Sequence, residues 1–209
     1  MSVIGASDRL NHLLIESGIQ PLDLETAQRF EDYLSLFIRW NQKVNLSAIR
    51  DEDGIISRHF VESIEVARFL PNGIASLLDF GSGAGLPGIP IALCRPEITV
   101  TLAESQGKKA AFLQEAVRLL GIQAKVFAQR AENLDESFDC VTLRAVDKMP
   151  KAVAAAAPLV ADSKWLALMT TESELLQLKT AAGEPFAWGE PLRLPGESRV
   201  LAIGQKINC

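Results

Sequence analysis

Cysteine and histidine are scarce in this chain: 209 residues include three cysteines and two histidines. Cys94, Cys140 and Cys209 lie far apart and form no C-x-x-C pair. With only His12 and His59 to add, no metal site is expected, and reduced thiols in a bacterial-type cytoplasm are the simplest reading. No run of about 18 apolar residues occurs, which argues against a membrane-spanning helix. The stretch MSVIGASDRLNHLLIESG carries charges early and no apolar h-region or small-residue cleavage site, so no signal peptide is expected. The pattern G-x-x-x-x-G-K-[S/T] is missing, which excludes a P-loop on spacing. G-x-S-x-G is missing too, and with it the nucleophile elbow of a hydrolase. Excess positive charge is also lacking. A net charge of −5 argues against indiscriminate coating of nucleic acid but leaves room for a local basic face.

The composition that remains, 48% hydrophobic and 22% charged, is ordinary for a globular protein with one sizeable core. In LETAQRFEDYLSLFIRWNQKVNL, Ala27, Phe30, Leu34, Phe37 and Ile38 recur at helical spacing. A second helix is predicted from Asp51, whose carboxylate can cap the following amides, and PNG at 71–73 ends the helical part. From Ala75 the pattern alternates. SLLDF, ITVTLAE, AKVFA, FDCVTLRA and KWLALMT read as strands, with helices at IPIALCR, GKKAAFLQEAVRLLG and KAVAAAAPLV, the last until Pro158 interrupts it. The segment FAWGEPLRLPGESRVLAIGQKI reads as two strands joined through PGE. The expectation is an α/β fold with a mostly parallel, Rossmann-like sheet and a C-terminal antiparallel hairpin strand. A helical extension over 1–73 precedes a core over 74–209, the two forming one compact unit. Ligands of such sheets sit at the carboxyl ends of the strands.

The first strand leads into LLDFGSGAGLPGIP. Gly81, Gly83 and Gly85 leave bare backbone at that strand's exit, where side chains would block a ligand. The helix behind them offers unpaired N–H groups, and Pro87 and Pro90 suit its first turn. Taken alone, the glycines are also compatible with nothing more than a tight connection. Glu104, about twenty residues on at the end of the second strand, stands where nucleotide-binding sheets carry an acid for ribose hydroxyls. The G-x-G-x-G spacing is tighter than the dinucleotide pattern. With the closing hairpin it favours S-adenosylmethionine over a nicotinamide dinucleotide, and an oxidoreductase remains the alternative. Glu132 in RAENL is placed to accept from an adenine amino group. Arg144 closes the fourth strand, either beside the ligand or in a structural pair with an acid such as Asp147.

The residues IRWNQKVNLSAIRD, RHFVES, LLDFGSGAGLPGIPIALCRPE, ESQGKKAAFL, RAE and TLRAV resemble the glucose-inhibited division protein B family, also called ribosomal RNA small subunit methyltransferase G. The resemblance runs from about Phe37 to Met149. It implies S-adenosylmethionine-dependent N7-methylation of the guanine at position 527 of bacterial 16S rRNA, in the cytoplasm. It also implies donor-binding roles for Gly81, Leu86, Ala131, Glu132 and Arg144, with Glu104 in the ribose-acid position of the wider fold. Asn41, Asn45, Arg58 and His59 match the family's N-terminal motifs, on the substrate side or between elements. One departure is LALMTTESE, where relatives often carry a lysine and glycine after the fifth strand.

Guanine N7 is a lone pair with no proton to remove, so no general base is expected. An acidic chain that binds RNA must concentrate its cations. Candidates are Lys43, Arg50, Arg58, Lys108, Lys109, Arg144, Lys148 and Lys151. Trp40 and His59 are available to stack a flipped base, although Trp40 shares helical spacing with Phe37 and so points to the core. The modest basic count suggests a structured or protein-bound RNA, such as a small ribosomal subunit. No long heptad seam is present, and a monomer is expected. A non-enzymatic RNA-binding factor is the third reading, and the intact glycines and acids weigh against it.

Overall fold

The computed structural model describes residues 5–183, 185–195 and 199–207. Helix α1 (Ala6–Glu16) lies in the helical extension expected over 1–73, although no helix was assigned to these residues. It is a short element that buries only Leu10 and Leu14, one turn apart. Helix α2 (Leu24–Asn41) starts where the Asp23 carboxylate accepts from the Thr26 amide at 2.9 Å. Its buried face includes Ala27, Phe30, Leu34 and Phe37, as the spacing predicted. Asp51 caps α3 (Glu52–Ile55), accepting from the Gly54 amide, and the helix continues through a π-helical turn at Ile56–Val61 into α4 (Glu62–Phe69). That wide turn carries Arg58 and His59. Such turns recur at functional sites.

The alternating part follows the sequence closely. Strands β1 (Ser76–Phe80), β2 (Thr99–Ala103), β3 (Ala124–Phe127), β4 (Phe138–Arg144) and β5 (Val160–Thr171) are parallel. Helices α5 (Gly88–Cys94), α6 (Gly107–Leu120) and α7 (Met149–Ala156) connect them. Gly121 ends α6 with left-handed backbone.

After β5 the structure is richer than expected. An unanticipated helix α8 (Glu172–Ala182) follows, then β6 (Phe186–Trp188), β7 (Leu192–Arg193) and β8 (Arg199–Lys206). Both β6 and β7 pair antiparallel with β8, so three strands stand where two were expected. Gly196 and Glu197 of the PGE turn lie outside the described residues, as do Met1 to Ile4 and Cys209. The sheet order is β3-β2-β1-β4-β5-β8-β6, with β7 beside β8. The direction of winding reverses between β1 and β4, the place where such sheets bind ligands. One hydrophobic cluster joins Leu14, Phe30, Phe37 and Phe60 of the helical part to Leu77, Ile89, Phe112 and Leu201 of the sheet layer.

Candidate active site

A cavity of about 830 Å³ opens at the carboxyl ends of β1, β2 and β4, within the size range of small-molecule sites. Gly81, Gly83, Leu86, Glu104, Ala131, Glu132 and Arg144 line it, together with His59 and Lys109. Gly85, Asn45, Arg58 and Lys108 are not among its lining residues. Asn45 is exposed and accepts from the Arg50 guanidinium at 3.1 Å, while Arg58 contributes its backbone carbonyl to the site. Gly85 is a packing glycine: its φ is +81°, and a Cβ there would fall 2.4 Å from Ile89 Cδ1.

Short-range bonds hold the turn after β1. The Ser82 amide donates to the Ala103 carbonyl at 2.9 Å, and the Ser82 hydroxyl to the Asp79 carbonyl at 2.8 Å. Tyr33, fully buried on α2, donates its hydroxyl to the Ala84 carbonyl. Beneath the turn lies Asp79, 1% exposed. Its carboxylate accepts from Gly88 N at 3.2 Å and from the Thr142 hydroxyl at 3.0 Å, yet burial pushes its pKa up to about 6. At Gly83, φ is +56° and a Cβ would meet nothing nearer than the Gly81 carbonyl oxygen at 3.9 Å. The backbone there is bare toward the cavity, as a ligand lying against it requires.

Glu104 is 7% exposed. One carboxylate oxygen accepts from Gly83 N at 3.0 Å and the other from Gln106 N at 2.7 Å, so the acid at the end of β2 fixes the turn after β1. Each oxygen keeps a further lone pair for a hydroxyl from the cavity. Ala131 and Glu132 begin the 3₁₀ turn Ala131–Asn133 on the same rim, and Glu132 pairs with Arg130 at 3.2 Å.

At the end of β4 stands a buried polar cluster that sequence reasoning missed as a unit. Arg144 pairs with Glu62 at 2.7 Å, not with Asp147. The same Nη2 donates to the Arg58 carbonyl at 2.9 Å and lies 3.0 Å from His59 Nδ1. A guanidinium only donates, so Nδ1 accepts and the neutral ring donates through Nε2 to the Ser47 hydroxyl at 2.8 Å. Burial, reinforced by Arg144, lowers the His59 pKa to about 3. Burial raises that of Glu62 against the pull of Arg144. Arg199, from β8, reaches Glu62 at 3.5 Å. Asn41 carries this side of the site: its side-chain oxygen accepts from Leu46 N and Ser47 N, and its amide donates to the Ile49 carbonyl. Trp40 is half-buried against the core, donating to Glu115 at 2.8 Å and packing edge-on against Phe112.

A family model described as rRNA small subunit methyltransferase G matches residues 26–188. The chain belongs to that family. A protein named ribosomal RNA small subunit methyltransferase G from Xanthomonas euvesicatoria pv. vesicatoria is 39% identical over 191 residues, covering 87% of this chain and 88% of that protein. One of the same name from Stenotrophomonas maltophilia is 40% identical over 190 residues, with the same coverage. Among solved structures, a SAM-dependent O-methyltransferase from Thermotoga maritima aligns with a TM-score of 0.55 at 14% identity, over 70% of this chain and 65% of that one. A predicted O-methyltransferase from Agrobacterium tumefaciens gives 0.58 at 18% identity, over 69% and 80%. The fold is therefore that of S-adenosylmethionine-dependent methyltransferases. The residues present fit the donor: bare backbone at Gly83, a buried two-oxygen acceptor at Glu104 and the Ala131–Glu132 rim share one cavity.

Proposed function

We propose that this protein methylates N7 of a guanine in 16S rRNA, the one that the resemblance identifies as position 527, using S-adenosylmethionine. The observation that carries this reading is the cavity at the strand ends of a chain of this family, where the glycine turn, Glu104 and the RAE rim converge. S-adenosylmethionine supplies, when bound, a methyl group on a sulfonium centre. Gly81, Gly83 and Leu86 form the floor against which it lies, Glu104 accepts from its ribose, and Ala131 and Glu132 border its adenine.

The protein's work is alignment and exclusion of water. No proton needs to be taken from N7. The titratable groups around the cavity agree with that. His59 is held neutral with both nitrogens engaged, and Asp79 is sealed under the turn with its oxygens occupied by Gly88 and Thr142. Lys109, Arg130, Lys148 and Lys151 rim the opening, where they would meet RNA phosphates even though the chain is acidic overall. The substrate is taken to be a small ribosomal subunit or an assembly intermediate, acted on by a monomer in the cytoplasm.

The test is transfer of labelled methyl from S-adenosylmethionine to small subunits from cells lacking the activity, followed by borohydride and aniline cleavage. A single cut at the target guanine is expected. Label without an N7 cut would refute the guanine-N7 assignment and keep the methyltransferase.

A further inference from the structure

We propose that Ser47 is a positioning residue for donor binding: by accepting from His59 it fixes the imidazole tautomer that holds Arg144 in the cavity. This rests on the reading of that cavity as the donor site and on the donor-binding role that the resemblance implies for Arg144. Ser47, His59 and Arg144 all line the cavity, from three different parts of the chain.

Proton counting sets the direction of each bond. Arg144 Nη2 stands 3.0 Å from His59 Nδ1. A guanidinium has no acceptor, so Nδ1 carries no proton and accepts. Burial and the charge of Arg144 lower the His59 pKa to about 3, so at neutral pH the ring keeps one proton, on Nε2. Nε2 then donates to Ser47 Oγ at 2.8 Å. The Ile49 amide donates to the same oxygen at 3.1 Å. A hydroxyl oxygen has two lone pairs, and both are taken.

The other tautomer shows what Ser47 prevents. With its proton on Nδ1, the imidazole would turn an N–H toward the N–H of Arg144, two donors where one bond now stands. Which ring nitrogen is protonated follows from the hydrogen bond the other makes, and an N–H in a half-buried site is costly without an acceptor. Among the described residues Ser47 is the acceptor for Nε2. Both partners are themselves held. Asn41 Oδ1 accepts from Ser47 N at 3.0 Å, and the imidazole packs beside Phe37 with ring centroids 6.1 Å apart. Beyond the ring, Arg144 Nη2 also meets Glu62 at 2.7 Å and the Arg58 carbonyl at 2.9 Å. Glu62 supplies the counter-charge. Nδ1 of His59 is the third fixed point, without which the guanidinium can swing about the other two.

The experiment pairs imidazole nitrogen NMR with calorimetric S-adenosylhomocysteine affinity on the full chain, at neutral pH. The chain has two histidines, so a His12→Gln variant assigns the spectrum. In wild type His59 should be wholly in the Nε2–H form. Ser47→Ala should populate both tautomers and weaken S-adenosylhomocysteine affinity about 3- to 10-fold, the worth of one hydrogen bond. Ser47→Thr keeps the hydroxyl and should restore both. In an Arg144→Met background Ser47→Ala should cost no further affinity, because its effect passes through Arg144. If Arg144→Met does not fold, the single variants decide. If Ser47→Ala does not fold, Ser47→Cys, whose sulfur accepts only weakly, carries the same comparison. Wild type that fails to bind S-adenosylhomocysteine would overturn the donor reading and this inference with it. Where wild type binds, three results overturn the inference alone: mixed tautomers in wild type, affinity and tautomer that do not change together across the variants, or a full further loss in the Arg144→Met background.

Discussion

Asp79 should make this protein less stable at neutral pH than at mildly acidic pH, and Asp79→Asn should remove that effect. The carboxyl is buried between the glycine turn and the sheet, and its pKa rises from an ordinary 3.8 to about 6. A raised acid stabilises the fold fully below the unfolded pKa and loses that contribution as pH rises through the folded one. Two pH units at about 1.4 kcal/mol each make the difference about 3 kcal/mol. It is lost between about pH 4 and pH 6–7. Asparagine fits the same place: its oxygen can accept from Gly88 N and its amide can donate to the Thr142 hydroxyl. That hydroxyl then turns to the Leu78 carbonyl, which it already approaches at 3.4 Å. The assay is urea unfolding of both proteins from pH 4 to 7.5. The other shifted groups, such as Glu62 and His59, cancel in the difference between the two curves. The Asp79→Asn variant should gain about 3 kcal/mol on wild type across the range. Parallel curves would show that Asp79 stays ionised at little cost, and would refute the reasoning.

Three further changes separate the floor of the cavity from its support. Gly83→Ala places its Cβ in open space on a left-handed backbone, so it should cost only about 1–2 kcal/mol of stability. Because that Cβ faces the cavity, S-adenosylhomocysteine affinity should drop more than about tenfold by calorimetry, a loss of over about 1.4 kcal/mol. Gly88→Ala should do the reverse. Its Cβ would stand 2.4 Å from Leu102 Cδ2 and 2.7 Å from Asp79 Oδ2, so a melting curve should show about 3 kcal/mol of lost stability, the upper end of overpacking. Glu104→Gln must turn its amide nitrogen toward either Gly83 N or Gln106 N. It should therefore lose about 1–3 kcal/mol in donor binding, seen as an affinity weaker by about 5- to 150-fold in calorimetry.

How legible was all this in the sequence? Strands β1 to β5 were readable because each is a short apolar run closed by a turn signal, and the strand-end side of the cavity follows from those runs. The glycines, Glu104 and the RAE segment all sit at strand ends, so order along the chain became position in space. Helix α8 was not readable. It buries Leu178 and Ala182 but leaves Leu176 78% exposed, so no clean apolar stripe marks it. The segment LALMTTESE has its own local logic, with the hydroxyls of Thr170 and Thr171 both donating to Glu174 where β5 turns into α8. Glu62 stood inside the quoted RHFVES motif without a role. Its partner Arg144 is 82 residues away and Arg199 further still, and no local pattern records such pairs. Gly85 was counted with the ligand glycines on spacing alone. A Cβ there would run into Ile89 and Leu113, so its lack of a side chain serves packing.

The helical part supplies one wall of the site, and the hydrogen bonds show how. Asn41 at the end of α2 fixes the backbone of Leu46 and Ser47, both of which line the cavity. Ser47 in turn holds His59, and His59 and Glu62 hold Arg144 at the end of β4. Each link is a buried or half-buried polar contact, costly to leave unmade, so the chain of bonds transmits position from the helices to the sheet. The same helices anchor the glycine turn through Tyr33 and Ala84, and Tyr33 stacks on Phe60 at 5.1 Å in the π-helical segment that carries His59. Both walls of the cavity therefore depend on the packing of α2 against that π-helical segment and α6. A change that loosens this packing should weaken turnover before it removes the sheet, because the contacts that set both walls of the cavity reach back to the helices while the strands are held by their own ladder.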